Sequence, residues 1–397
     1  MTALWVISLI SLAAWIYLLI FHGGFWRCDQ VFDPARIAPP PRWPAVAAIV
    51  PARNEEETVA EVVGSLLAQD YPGPLCVTVL DDRSTDSTAA RAAAVIGQLE
   101  AGDRATVLNG EPLPAGWAGK LWAQQQGIQQ ALARQPDTGF FFFGDADIVH
   151  RPDILRALVA KAETDRRDLV SLMARLNCRS LWEKLLIPAF IFFFQKLYPF
   201  ARANDDGSTV AAAAGGCVLI RRQTLEKIGG PAALRDALID DCTLARLVKR
   251  AGGRLWIGLT DTSRSLRVYD DLQPIWMMVA RSAFTQLRYS AFLLAGTVLG
   301  MTLIYLLPPL LVIAYPLHGL PGVAAIGLVT LLLMAFAYRP TIAYFALPAA
   351  WALTLPAAAL LYLAMTVDSA RRHWFGRGSH WKGRDYGPRA GAAKRGH

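Results

Sequence analysis

A chain of 397 residues that is 54% hydrophobic and 18% charged is too apolar for an ordinary soluble protein. It is also too charged to lie in a bilayer throughout, so one soluble domain joined to several membrane segments is expected. Of the formal net charge of +8, +7 falls in residues 371–397, with eight Lys or Arg and one Asp, which makes a basic tail suited to anionic lipid headgroups and leaves no nucleic-acid partner to expect.

Residues 2–21, "TALWVISLISLAAWIYLLIF", carry no charge, lack a basic leader and show no small-residue cleavage site before Arg27. Residues 1–24 are therefore expected to be an uncleaved transmembrane anchor. The charged residues that follow leave room for one full α/β domain, over 40–270.

That domain opens with a predicted strand, Val46 to Val50, a turn at Pro51, and a helix with apolar Val59, Val62, Val63, Leu66 and Leu67. Asn54 and Glu57 have capping-box spacing at its start. A second strand, Cys76 to Leu80, ends in Asp81 and Asp82, ahead of a helix capped by Ser84 or Asp86. The four phenylalanines Phe140 to Phe143 read as a strand buried on both faces, and they too run into carboxylates, Asp145 and Asp147. Polar residues just beyond buried parallel strands sit where open α/β sheets bind ligands, and two acids there invite a cation, although a turn capped by Asp153 accounts for them as well.

Lys120, in "GWAGKLW", lies beside glycines ahead of a helical pattern. Gly215 and Gly216 precede another strand, where they allow either a ligand against the backbone or a close-packed turn. "LIDDCTLARLVKRAGGR" reads as a helix closed by Gly252 and Gly253, with Asp240 as its natural N-cap. Residues 185–200, "LLIPAFIFFFQKLYPF", are too short and too proline-interrupted to span a bilayer, and Lys184 and Lys196 flank their apolar core. A helix lying in the membrane interface is expected over 181–200, with a buried core helix as the alternative.

After an amphipathic connector, 271–289, come apolar blocks of about 290–317, 320–338 and 340–367, so 290–368 is expected to form the C-terminal transmembrane segments and 369–397 the tail. The basic tail favours the cytoplasm. Three full crossings from a cytosolic domain would place it outside, so the last block, broken by Pro348 and Pro356, is the candidate for a kinked or half-inserted segment. Cys28, Cys76, Cys178, Cys217 and Cys242 have no C-x-x-C spacing, so neither a disulfide framework nor a zinc site is expected.

"PARNEE", "LDDRSTD", "GK" at 119–120, "GDAD", "GG" at 215–216 and "IDD" at 239–241 resemble, in order, the motifs of inverting family 2 glycosyltransferases of GT-A fold. "PLPAGWAGKLWA", "SLWEKLLIPAFIFFFQKLYPF" and "HWKGRDYG" are similar to the hopene-associated membrane glycosyltransferases, and more distantly the chain resembles ceramide glucosyltransferases. The resemblance implies a Rossmann-like nucleotide-sugar domain in which Asp147 holds a divalent metal, Mn2+ or Mg2+, with Asp145 on metal or ribose. It implies that Asp82 and Asp81 accept from the base and ribose of UDP, and that Pro51, Arg53 and Glu55 line the same pocket. Lys120 and Arg288 would meet the diphosphate, Asp240 would line the site, and Asp241 would be the general base.

One departure is "TQLRYS", where many membrane relatives carry Gln-x-x-Arg-Trp; Tyr289 replaces the Trp and Thr285 stands at the Gln position. That weakens any expectation of processive polymer synthesis. The expected function is transfer of a sugar from a nucleotide sugar to a lipid acceptor, hopanoid or isoprenoid related, by a multi-pass protein of the cell inner membrane with a cytoplasmic catalytic domain. A polyprenyl-phosphate sugar synthase and a non-catalytic nucleotide-sugar-binding subunit are the alternatives.

Overall fold

The computed structural model describes every residue except 236, 238, 376–378, 382, 383 and 387–397. The chain divides into two compact units. One takes Asp29–Asn177 and Tyr198–Val268; the other takes Met1–Cys28, Cys178–Leu197 and the described residues from Tyr269 on.

The first unit is an α/β layer structure around one mixed sheet. Its strands are β1 Ala45–Ala52, β2 Leu75–Asp81, β3 Ala105–Asn109, β4 Thr138–Gly144, β5 Ile148–His150, β6 Leu169–Arg175, β7 Cys217–Arg221 and β8 Leu255–Ser265. They lie in the order β3-β2-β1-β4-β7-β6-β8-β5. β1 runs parallel to both β2 and β4, whereas β7 is antiparallel to β4 and β6. The apolar runs explain which strands are central: Val46 to Val50 and Phe140 to Phe143 are buried on both faces. The helix Gly119–Arg134 lies against β1, and Gly127 lets it, because a Cβ there would stand 2.6 Å from Ile49 Cγ2.

Several local expectations are corrected. β1 does not turn at Pro51 but continues to Ala52, with Pro51 opposite Leu80 of β2. Val46 N–H bonds toward β2, so by alternation the nitrogen of Pro51 faces β4, whose pairing has already ended at Ile49–Phe143. No ladder bond is lost. The following helix begins only at Val59 with Thr58 at the cap, because Asn54, at φ +51°, is engaged instead in accepting from Thr85 N–H at 2.9 Å. In the helix Thr88–Gln98 the residue at the cap position, Ser87, makes no side-chain cap bond; the side chain that accepts from the first helical N–H, Thr88, at 3.0 Å is that of Asp86, one of the two expected, while Ser84 N–H donates to Asp81. Asp240 is the first residue of the helix Asp240–Arg250 rather than its cap, which is Ile239.

Among the described residues of the second unit, four helical stretches are long and apolar enough to cross a membrane: Thr2–Ile20, Ala291–Ile313, Pro321–Tyr344 and Ala349–Trp374. The third passes through Pro340, so the break expected at Arg339–Pro340 falls later, where Ala346 takes φ +57° and Pro348 follows. The fourth begins as a 3-10 segment, Ala349–Thr354, before the α-helix Leu355–Trp374. The connector forms the helices Leu272–Ala280 and Ala283–Gln286. The stretch expected as an interfacial helix is the helix Leu181–Leu197, and it buries Leu186, Ile187 and Phe192 within this unit. In the tail, Ser379–Trp381 pairs antiparallel with Arg384–Tyr386; Lys382 and 387–397 lie outside the described residues.

Candidate active site

Because β2, β1 and β4 are parallel neighbours, the carboxylates that end β2 and follow β4 emerge on one rim, two strand spacings or roughly 10 Å apart. Asp81 and Asp82 are both buried. Asp81 Oδ2 accepts from Ser84 N–H at 3.1 Å, while its Oδ1 is buried with no hydrogen-bond partner. Such an acceptor wants an N–H or O–H, as a nucleoside offers. Arg53 donates to the carbonyl oxygens of Asp82 (2.5 Å) and Arg83 (3.0 Å), tying the loop after β1 to the loop after β2.

Beyond β4 the chain turns through Gly144 to Ile148, and Thr58 Oγ1 steadies the turn by donating to Ala146 O at 2.7 Å. Asp145 and Asp147 leave this turn toward different cations. Lys120, in the first turn of its helix, places Nζ 2.6 Å from Asp145 Oδ1 and 3.8 Å from Asp240 Oδ2. Arg267, just beyond β8, donates through Nε to Asp147 Oδ2 at 2.8 Å and through an Nη to Glu55 at 3.1 Å.

Asp241 stands at the start of its helix with Oδ2 accepting from Gly215 N–H at 3.0 Å and Oδ1 from Cys242 N–H at 2.6 Å. The two glycines give this cluster its room. A Cβ on Gly215 would be 3.1 Å from Lys120 Nζ and 3.5 Å from Asp241 Oδ2; one on Gly216 would be 3.2 Å from Ile148 and 3.5 Å from Asp145 Oδ2.

Charge dominates this arrangement. Five acids, Glu55, Asp145, Asp147, Asp240 and Asp241, gather here with the two bases Lys120 and Arg267, a balance toward negative charge that attracts cations. Burial raises the Asp241 carboxyl, and Asp240 adds to the effect, so that it lies at about 6 despite the N–H groups of Cys242 and Gly215 and the Lys120 ammonium. Burial also raises Asp145, with Lys120 opposing and Asp147 reinforcing. For Lys120 burial works downward, but Asp145, Asp240 and Asp241 outweigh it and hold the ammonium above its ordinary range.

Of the residues singled out in the sequence, Lys120, Asp145, Gly215, Asp240 and Asp241 are thus brought into contact range of one another. Pro51, Arg53, Asp81 and Asp82 line the same rim at the ends of β1 and β2. Arg288 belongs to the helical unit, exposed and at φ +52°. Sequence reasoning missed Arg267, which joins Glu55 to Asp147. The available signal was a lone basic residue just past a strand, which is too common to single out.

Residues 47–229 match the family model "Glycosyl transferase family 2". Among curated relatives, an N-acetylglucosaminyltransferase of Azorhizobium caulinodans is 38% identical over 89 residues, covering 21% of this chain and 22% of that one. A 4,4'-diaponeurosporenoate glycosyltransferase of Staphylococcus aureus is 26% identical over 206 residues, 50% of each chain. The chain therefore spans half or less of the length of these curated relatives. Among solved structures, the mannosyltransferase PcManGT from Pyrobaculum calidifontis, in complex with GDP-Man and Mn2+, superposes with a TM-score of 0.58 at 20% identity over 92% of this chain and 99% of that one. That likeness shows a shared fold, of the GT-A kind expected from the motifs. Residues 47–229, which match the family 2 glycosyltransferase model, thus lie, apart from Cys178–Leu197, within the unit that has this GT-A-like fold.

Proposed function

We propose that the protein is a membrane-bound inverting glycosyltransferase that moves a sugar from a nucleotide sugar, UDP-linked, to a hydroxyl of a lipid acceptor, a hopanoid or related isoprenoid, at the cytoplasmic face of the cell inner membrane. The observation that carries the reading is the rim where a carboxylate near 6, Asp241, adjoins a carboxylate-rich pocket at the ends of parallel strands. Supporting the membrane part, the same chain has helices long and apolar enough to span a bilayer. The excess negative charge around Asp240 and Asp241 favours a neutral hydroxyl acceptor over a phosphate, which it would repel.

A divalent cation on the donor side is part of this proposal. Among the described residues no three His, Cys, Asp or Glu side chains form a metal cage. Two carboxylates in a turn beyond a strand, completed by substrate phosphates, are nevertheless how Mg2+ and Mn2+ are commonly held. Asp147 and Asp145 would hold the ion, and when bound it would neutralise the diphosphate leaving group.

The chain's own residues then divide the work. Asp81 and Asp82 present acceptors to the nucleoside, with Pro51 and the Arg53-tied loop beside them. Gly215 and Gly216 admit the sugar against the backbone. Asp241, held by Gly215 N–H, takes the proton of the acceptor hydroxyl. The hydroxyl oxygen bonds to the anomeric carbon as the carbon–diphosphate bond breaks on the opposite face, and UDP leaves with the bonding pair. Lys120, between Asp145 and Asp240, supplies positive charge next to both reacting sides.

The test uses purified protein in lipid with Mn2+ and labelled UDP-sugars: wild type releases UDP, and Asp147→Ala and Asp241→Asn do not. Unchanged release in Asp147→Ala would refute the metal assignment. Mass spectrometry of lipids from cells with and without the gene names acceptor and sugar; an identical lipid profile would remove the lipid acceptor.

A further inference from the structure

The helical unit holds a cation that the glycosyl-transfer reading does not use. Lys196 lies one residue from the end of the helix Leu181–Leu197. Its Nζ donates to Tyr305 Oη at 2.9 Å and sits 4.7 Å from the Tyr305 ring centroid and 5.7 Å from that of Phe193. Among the described residues no carboxylate comes within ion-pair range of it. An ammonium has three donors, and one is engaged here.

The surroundings are built, not incidental. Tyr305 is fully buried and meets Trp15 edge to face at 5.6 Å. It lies in a π-helical segment, Thr302–Leu306, within the apolar stretch Ala291–Ile313. Wide turns of this type loosen the backbone ladder and concentrate at functional places. Here the adjacent carbonyls of Leu303 and Ile304 accept from Ser11 Oγ at 2.7 Å and Trp15 Nε1 at 2.8 Å. His22 Nε2 bonds to Lys196 O at 2.7 Å and pins the lysine backbone.

A lysine with only its stem to bury extends its head to water. This one instead keeps its head against a buried tyrosine beside an apolar anchor. Two ring faces and one hydroxyl only partly replace hydration, and ionisable groups among membrane helices mark ligand or ion sites. What would complete the site is an oxyanion, and the apolar helices around it favour an oxyanion carried on hydrocarbon.

We propose that Lys196 and Tyr305 form a binding site for the anionic headgroup, phosphate or carboxylate, of a membrane lipid. Lys196 supplies the charge and the remaining donors, Tyr305 Oη holds the ammonium in place, and Phe193 lies beside it.

The test is native mass spectrometry and thermal melting of the full chain, delipidated in high salt to strip lipid held by the basic tail, then offered phosphatidylglycerol, phosphatidylcholine or inorganic phosphate. Wild type should retain one phosphatidylglycerol and melt higher with it than with phosphatidylcholine. Lys196→Met should weaken that retention by about tenfold or more, the loss of a charge-assisted bond, and Lys196→Arg should keep it. If Lys196→Met fails to fold, Tyr305→Phe keeps the ring and should weaken retention by about fivefold. Full retention in Lys196→Met, or in Tyr305→Phe where that variant must serve, would overturn the site. Equal stabilisation by inorganic phosphate alone would overturn the lipid as occupant.

Discussion

Arg267 and Asp147, 120 residues apart in sequence, meet with Nε 2.8 Å from Oδ2, and the same guanidinium reaches Glu55 at 3.1 Å. A cation of the chain therefore stands on the carboxylate proposed to hold the metal. Its charge is offset by two acids, so its removal shifts the local balance toward negative charge, which attracts another cation.

The first prediction concerns that exchange. Arg267→Gln should tighten Mn2+ binding in the absence of nucleotide by about tenfold, the scale of one charge-assisted bond. Electron paramagnetic resonance of free Mn2+ reads this directly, and affinity equal to or below wild type would show that Arg267 does not compete with the ion.

Asp241 sets the pH dependence. As a base it must be ionised, so kcat/KM should fall about tenfold per pH unit below its value of about 6. Stability runs the other way. Its folded-state value is raised, so the native state binds more protons than the unfolded one between about 4 and 6, and the cost of ionising it in place is fully present at pH 7. Asp241→Asn should therefore abolish transfer yet melt about 2 °C or more higher at pH 7, with the difference disappearing below about pH 4. A lower melting temperature at pH 7 would contradict the buried-charge argument.

Gly215→Ala should separate activity from stability. The new Cβ would crowd Lys120 Nζ at 3.1 Å, and that ammonium is the far end of a flexible side chain. The fold can give way there cheaply, but the Lys120 contacts to Asp145 and Asp240 cannot survive intact. The expectation is a loss of kcat of about tenfold, one charge-assisted contact, with Tm nearly unchanged.

Gly127→Ala should do the opposite. Its Cβ would meet Cγ2 of the fully buried Ile49 of β1 at 2.6 Å. Overpacking of this kind costs about 1–3 kcal/mol, against about 1 kcal/mol gained by replacing glycine in a helix. A net drop in Tm by chemical or thermal melts is expected, with KM for the donor little affected in the protein that remains folded.

Much of this was legible in the chain itself. Phe140 to Phe143 and Val46 to Val50 announce buried strands by unbroken apolarity, Asp81, Asp82, Asp145 and Asp147 follow such strands directly, and uncharged stretches of membrane length announce the helices. These signals are local, carried by periodicity and run length within a few residues. Pro51 misled because a proline reads as a turn until it is known that its nitrogen faces a side where pairing has ended. Asn54 and Asp240 misled because a cap and a tertiary partner use the same side-chain oxygen.

By itself, then, the sequence determined the elements, the acids at strand ends and the apolar lengths. The tertiary structure alone decided which charges meet: Lys120 with Asp145 and Asp240, Arg267 with Asp147 and Glu55, Lys196 with Tyr305. The physical reason is that Coulomb and hydrogen-bond energies depend on separation in space, and strand order and helix packing bring together residues that lie from 25 to more than 200 positions apart.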